Sequence, residues 1–583
     1  LKIPEFSWKN LRRRTSGRWQ RLRLSLAGSH AMPLLVALGL ISGLAAGGVI
    51  VAFRWLIEAS QRAILADGGI EDFEGLSWPG RLLLATAGGI VIGVLFRMVS
   101  QQRFQVGVLH VMDRLAYYEG YLPLKNALIQ FVGAAIALIT GQSLGREGPG
   151  IHLGAASASL IGQGLAVPNN AIRTLCACGT AAAIAASFNT PLAGVIFAME
   201  VVMMEYTIAG FAPVILAAVS ATALTRIAFG DEAVFVVSAR ELAGLWELPY
   251  IVIMGLAVGA LAAAFIALLQ RLTLAAQGLP VWASMAVAGL TVGVIAIWVP
   301  EVMGIGYDSV NAALLGQLGL QLLLILTLAK LVATAVCVGL GLPAGLIGPC
   351  VVIGASAGGA FGLLLAYLPG VHAHPGVYAM LGMGAMVGAT LHAPLAALLA
   401  LLETTGNPNI ILPGMLAVVS AYLAAKELFR MDSVFLHQMR NLGLDYSNDP
   451  LSQHLRRSGV AAVMETAFAT SKRLIERADA SSMMQDMPRW IIVRHDERRD
   501  LLPAADLARA LEEQNGESLD LLEIPSKRRS LAPVAVQATL QQALDQLNKT
   551  GAEALYVVPL MKPFVEQPLG IVTRNQIEES YRP

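Results

Sequence analysis

Gly145-Arg146-Glu147-Gly148-Pro149 is a charged, glycine-rich knot between two apolar stretches, 129–139 before it and the run that starts at Ile151 after it. An ionisable group embedded so deeply in an apolar chain is costly in a hydrocarbon environment and marks a functional position on a polar pathway. Two hundred residues on, Gly345-Leu346-Ile347-Gly348-Pro349 repeats the knot without its charge, and the register holds through Gly154/Gly354, Ala155/Ala355, Gly162/Gly362 and Ala166/Ala366. A second block repeats at nearly the same offset: Gly179, Pro191-Leu192-Ala193 and Glu200 are matched by Gly382, Pro394-Leu395-Ala396 and Glu403. Duplicated halves of a membrane chain commonly place a substrate site at their interface, built from broken helices whose N-terminal N–H groups face the bound ion. The two knots suit that role, and such a site binds an anion.

Composition points the same way. Of 583 residues 56% are hydrophobic and only 14% charged, with a mean hydropathy of +0.62, and the charges crowd into the two ends. That balance indicates an integral membrane protein whose partner is the lipid bilayer rather than nucleic acid. Many of the apolar runs from Ala31 to Ala425 are shorter than the roughly 20 residues an upright span needs. Segments 171–187, 191–204, 346–366 and 376–391 therefore predict tilted or half-spanning helices, whose freed backbone must face protein or a water-filled cavity. Isolated glycines read as sites of close helix packing; the two repeated knots do not. Residues 1–30 hold eight Lys or Arg against the single acid Glu5. By the positive-inside rule they form a cytoplasmic N-terminal segment. Cys176, Cys178, Cys337 and Cys350 all lie in apolar segments with no zinc spacing and read as small buried hydrophobes.

The predicted organisation is a basic segment at 1–30, a transmembrane domain at 31–430 with repeats at about 31–230 and 248–426, a polar linker at 431–458, and two soluble strand-and-helix units within 459–583. In the second soluble unit Ala554-Leu555-Tyr556-Val557-Val558-Pro559 and Gly570-Ile571-Val572-Thr573 read as strands, with a helix beginning near Asn575. The first unit offers Trp490-Ile491-Ile492-Val493 and the stretch after Asp500.

Gly145-Arg146-Glu147-Gly148-Pro149 resembles the GREGP motif of the CLC family of chloride channels and chloride/proton antiporters, and Phe188-Asn189-Thr190-Pro191-Leu192-Ala193-Gly194 resembles that family's FNAPLAG segment. The C-terminal pair resembles tandem CBS domains, most clearly at Leu569-Gly570-Ile571-Val572-Thr573-Arg574. The resemblance implies an all-α polytopic membrane fold with inverted repeats and broken helices, followed by an α/β CBS pair. It also implies a homodimer with an anion pathway in each subunit, both termini cytoplasmic, in the plasma (inner) membrane.

Carried over residue by residue, the resemblance makes Glu147 the gate, whose ionised carboxylate competes with the anion for helix N-terminal N–H groups and whose protonation opens the path. Arg146 becomes structural support held by a carboxylate such as Asp113. The anion contacts become Gly107, Val108, Gly148, Leu346, Ile347, Gly348 and Phe435, with Ile347 in place of the motif's usual phenylalanine. Three departures stand out. Val106-Gly107-Val108-Leu109-His110 aligns with the family's GSGIP, so a glycine replaces the serine whose hydroxyl touches the central anion. Phe435 aligns with the tyrosine that supplies a second hydroxyl. Val201 aligns with the inner proton-carrying glutamate, and Glu205, one helical turn on, is either its substitute or an end charge facing the cytoplasm. His110 reads as an added donor beside the pathway or as a satisfied structural histidine.

In the CBS pair the threonine and acid that hold an adenine nucleotide are split between the copies. Thr573 is followed by Gln576 where the acid belongs, and Asp506 is preceded by Pro503 where the threonine belongs. No cofactor is required, and adenine nucleotide is a candidate ligand of an incomplete site. The expected function is transport of chloride or a similar small anion, channel-like or loosely coupled to protons. The alternatives are a chloride/proton antiporter using another proton route, a fluoride- or bicarbonate-selective relative, and a CBS-based membrane sensor with little flux. Neither a Ser/His pair nor a metal-ligand cluster accompanies the lone glutamate, which argues against an enzyme.

Overall fold

The structure, a computed structural model, describes residues 25–26, 31–65, 69–99, 106–206, 208–231, 235, 244–368, 373–444, 450–495, 498–513, 516–559 and 568–581. The chain divides into two compact units, one of Leu35–Gly164 with Arg173–Ser447, the other of Leu1–Leu34 with Leu165–Ile172 and Asn448–Pro583. Most of the basic segment 1–30 lies outside the described residues.

The larger unit is helical. Its first half carries α1 (Met32–Ile64), α2 (Trp78–Val99), α3 (Gly107–Tyr117), α4 (Leu124–Ile139), α5 (Glu147–Leu165), α6 (Asn169–Phe188), α7 (Pro191–Phe197) and α8 (Ile208–Phe229). Its second half repeats the series as α9 (Leu248–Ala276), α10 (Val281–Ile295), α11 (Tyr307–Leu314), α12 (Leu320–Gly339), α13 (Ile347–Ala366), α14 (Pro375–Leu391), α15 (Pro394–Thr405) and α16 (Ile411–Leu423). A last helix, α17 (Val434–Asn441), closes the unit. Among the described residues eight helices are long and apolar enough to cross a bilayer, and short apolar helices such as α4, α10 and α14 lie between them. Three of the short helices, α7, α14 and α15, begin with proline, Pro191, Pro375 and Pro394, at a first helical position where an N–H is not needed.

Three reciprocal contacts turn the sequence repeat into a spatial one. The two knots pair backbone to backbone, with Gly145 N donating to Gly345 O at 2.7 Å and Gly345 N donating to Gly145 O at 2.8 Å. Behind them α5 crosses α6 at Gly154 and Gly179, and α13 crosses α14 at Gly354 and Gly382; a Cβ on any of the four would lie 2.1–2.3 Å from the partner's carbonyl oxygen. Finally, each repeat caps a helix of the other. Glu403 accepts from Leu192 N (2.9 Å) and Ala193 N (2.8 Å) at the start of α7. Glu200 accepts from Leu395 N (3.2 Å) and Ala396 N (2.8 Å) at the start of α15. A carboxylate there satisfies orphan N–H groups and complements the helix dipole.

The knot leaves no room for a side chain. A Cβ on Gly345 would lie 2.5 Å from Gly148 N, and one on Gly148 would lie 2.6 Å from Gly345 Cα. Gly345→Ala is therefore expected to destabilise the fold by at least the roughly 1–3 kcal/mol of an overpacked methylene. Gly164→Ala, at a position with nothing within 4 Å of the added atom, is its control. Thermal unfolding in detergent should separate the two, and equal midpoints would contradict the close approach.

The segment 431–458 is not the plain linker its polarity suggested. Ser433 Oγ accepts from Leu436 N at 3.3 Å and nucleates α17, and α18 (Pro450–Arg457) follows. Both helices have a strong apolar face, and such an amphipathic stretch of eight residues is easily mistaken for a loop. Asn448 and Asp449 lie outside the described residues.

The smaller unit contains β1 (Phe468–Lys472), β2 (Leu474–Glu476), α19 (Arg477–Gln485), β3 (Trp490–His495), β4 (Arg498–Pro503), α20 (Ala504–Glu513), β5 (Ser518–Asp520), β6 (Arg529–Ala535), α21 (Leu540–Thr550), β7 (Ala554–Val558), β8 (Gly570–Thr573) and α22 (Arg574–Glu579). Six strands form one sheet in the order β1-β3-β4-β6-β7-β8. Each half pairs one parallel and one antiparallel neighbour, β1/β3/β4 and then β6/β7/β8, with β4 and β6 joining the halves. This internal duplication suits a CBS-like pair. Thr539 and Thr573 start α21 and α22 with capping boxes closed by Gln542 and Gln576. Within the same unit Gln537 Nε2 donates to Ala166 O and Asn169 Nδ2 to Gln542 Oε1, both at 2.8 Å.

Candidate functional site

Glu147 opens α5 and is 1% exposed. Its carboxylate reaches across to the other repeat: Oε2 accepts from Gly348 N at 3.2 Å, in the first turn of α13, and Oε1 accepts from the hydroxyl of Tyr307, the first residue of α11. A carboxylate thus rests on an N-terminal N–H of a broken helix, which is where the dipole and the unpaired donors favour negative charge.

Arg146 stands beside it with Nε 4.0 Å from Glu147 Oε1 and its guanidinium 5.5 Å from the Tyr307 ring centroid. Its Nη2 donates to Ser187 O at 3.2 Å. The expected pairing of Arg146 with Asp113 does not occur among the described residues. The carbonyl that ends α6 supplies an acceptor nearer at hand, and Asp113 lies on α3 next to Arg114. Arg146 is instead tied to that carbonyl.

A cavity lies beside the paired knots. Gly107, Val108, Gly148, Leu346, Ile347 and Phe435 all line it, so six of the seven expected anion contacts meet in one space, while Gly348 is the one already bonded to Glu147. The N-terminus of α3 is formed by Gly107 at φ +82°, a conformation a serine would adopt only under strain. Gly107 is thus not a serine shorn of its hydroxyl; the local backbone itself calls for glycine. Phe435 presents a ring without a hydroxyl from α17.

His110 turns away from the cavity. Its Nδ1 lies 3.0 Å from His152 Nε2, and its Nε2 accepts from Arg114 Nε at 3.2 Å. Because arginine only donates, His110 carries its proton on Nδ1 and hands it as a hydrogen bond to His152. Both ring nitrogens are occupied, which leaves none for an anion. On the proton side, Val201 is buried within a π-helix at Ala198–Met203, and Glu205 is buried with its carboxylate 3.7 Å from Arg173 Nη2. Arg173 also lies 4.0 Å from Glu119 and donates to Leu115 O. All four cysteines are buried free thiols.

Two polar side chains at this site escaped the sequence reading. Tyr307 lies outside both motifs, yet it stands two hundred residues after Gly107, so the repeat offset that linked the knots also pointed to it. Gln438, three residues after Phe435 on α17, lines the same cavity, and the i,i+3 spacing was its signal. In the smaller unit, Thr573 is engaged in its capping box and Asp506 accepts from Ser526 Oγ at 2.5 Å.

Comparison with known proteins converges on one family. Residues 88–426 match the family described as voltage gated chloride channel. A ClcB-like protein of Ralstonia nicotianae is 34% identical over 407 residues, spanning 67% of this chain and 93% of that one. The H(+)/Cl(-) exchange transporter ClcA of Vibrio cholerae is 32% identical over 314 residues, 52% of this chain and 66% of that one. The crystal structure of a eukaryotic CLC transporter matches with a TM-score of 0.61 at 18% identity, covering 93% of this chain and 97% of that one.

Proposed function

We propose that this chain, which belongs to the voltage gated chloride channel family, moves chloride or a similar small anion through the cavity beside the paired knots, with Glu147 as the gate. One observation carries the reading: the Glu147 carboxylate accepts from the Gly348 N–H at the head of α13, and the residues next to both, Gly148 and Ile347, line a cavity together with Leu346. An anionic side chain occupies an anion's seat. While ionised it competes with the permeating ion; once protonated it loses its attraction for the N–H groups and vacates the seat.

Transport is channel-like or loosely coupled. A valine at 201 cannot carry a proton, and Glu205 is held by Arg173 as an ion pair. A chloride gradient imposed across liposomes should therefore drive chloride flow with little uphill proton movement. Proton pumping in fixed ratio to chloride would overturn this and support the second reading, a chloride/proton antiporter like the relative from Vibrio cholerae. Should pumping appear, its loss in Glu205→Gln with chloride flux intact would identify Glu205 as the relay.

The chain works as a homodimer in the plasma (inner) membrane with both termini cytoplasmic, a topology supported by the eight basic residues of 1–30. The CBS pair serves as a structural or dimer-stabilising module rather than a nucleotide sensor, since Thr573 is committed to a helix cap and Asp506 to Ser526.

A further inference from the structure

We infer that Gln438 supplies the side-chain hydrogen-bond donor to the transported anion, in place of the two hydroxyls absent at Gly107 and Phe435. The assignment rests on reading the cavity as the anion path.

The cavity wall is made of glycines, aliphatic residues, Pro343 and Phe435, and Gln438 is its one polar side chain among the described residues. Gln438 is 5% exposed and its side chain borders the cavity. Its neighbours on α17 are engaged locally: Ser433 caps the helix, His437 Nε2 accepts from Asp432 N at 3.1 Å, and Arg440 pairs with Asp432. An amide set in an otherwise apolar wall is unfavourable unless the cavity holds something it can bond, and an apolar residue of the same length would line that wall at no such penalty. The cost is recovered when something in the cavity accepts its N–H.

The chemistry suits a small anion. A glutamine amide carries two N–H donors and, unlike lysine or arginine, no charge. It can therefore contact an anion without trapping it, as conduction requires. Phe435 and Gln438 share one face of α17, so a donor moved from the first to the second stays on the same wall of the cavity. The backbone N–H groups at the heads of α3 and α13 then complete a shell to which this chain contributes a single side chain.

Chloride binding by calorimetry on the purified chain tests the assignment, with Gln438→Met and Gln438→Leu as donor-free variants of similar size. Thermal melts check that each is folded. Both should bind chloride about tenfold or more weakly than the wild type. Adding Phe435→Tyr to Gln438→Met should restore part of the loss, which a purely structural role for Gln438 would not do. Donor-free variants that match the wild type within twofold would overturn the assignment alone. A wild type that binds no chloride would overturn both the assignment and the proposed function.

Discussion

Glu147→Gln is expected to remove most of the pH dependence of anion flux. With the native residue, the open fraction follows protonation of one carboxylate, so on the steep limb flux should change by about tenfold per pH unit. Glutamine keeps the shape of the protonated side chain and carries no charge at any pH. It gives up the charge-assisted bond to Gly348 N and no longer competes with the anion for that donor. Flux through the variant should be high and vary by less than about twofold over the same range. A folded variant with the wild-type pH profile would remove Glu147 from the gate.

Tyr307→Phe should move the pH of half-maximal flux upward by about one unit. The Tyr307 hydroxyl donates to Glu147 Oε1, and a hydrogen bond to a charged acceptor contributes on the order of 1.5–3 kcal/mol. That bond favours the ionised, closed gate. Without it protonation needs fewer protons in solution, so opening begins at higher pH; each unit corresponds to about 1.4 kcal/mol. The surrounding charges stay in place: Arg146 over the ring, Glu71 accepting from Gly306 N at 3.3 Å, Asp308 beside Tyr307, and Lys330 donating to Val302 O (3.0 Å) and Gly304 O (2.9 Å). Because Phe keeps the edge-to-face contact with Phe235, packing should survive. An unchanged midpoint, or a downward shift, would show that the hydroxyl does not hold the gate.

Tyr307 also marks how far the sequence could be read. The knots at 145–149 and 345–349 were recognisable because both the glycines and the offset recur, and glycine is demanded wherever two backbones meet without room for a Cβ. The reciprocal caps of Glu200 and Glu403 were visible as a matched pair for the same reason, although which helix each served needed the structure. Side chains that arrive from outside a motif left weaker traces. Tyr307 shares the repeat offset with Gly107 but not its residue type, and the His110–His152 pair forms between helices that nothing in the sequence brings together. The partner of Arg146 was misassigned because a charge in sequence suggests a carboxylate, whereas the chain supplied a main-chain carbonyl at Ser187.

The most direct measurement is chloride efflux from liposomes containing the purified chain, followed across a pH series with the membrane potential shunted. The expected result is efflux well above protein-free liposomes that rises as the pH falls in the wild type and stays high and flat in Glu147→Gln. Efflux no faster than from protein-free liposomes, or a pH profile identical in the two proteins, would contradict a gated anion pathway.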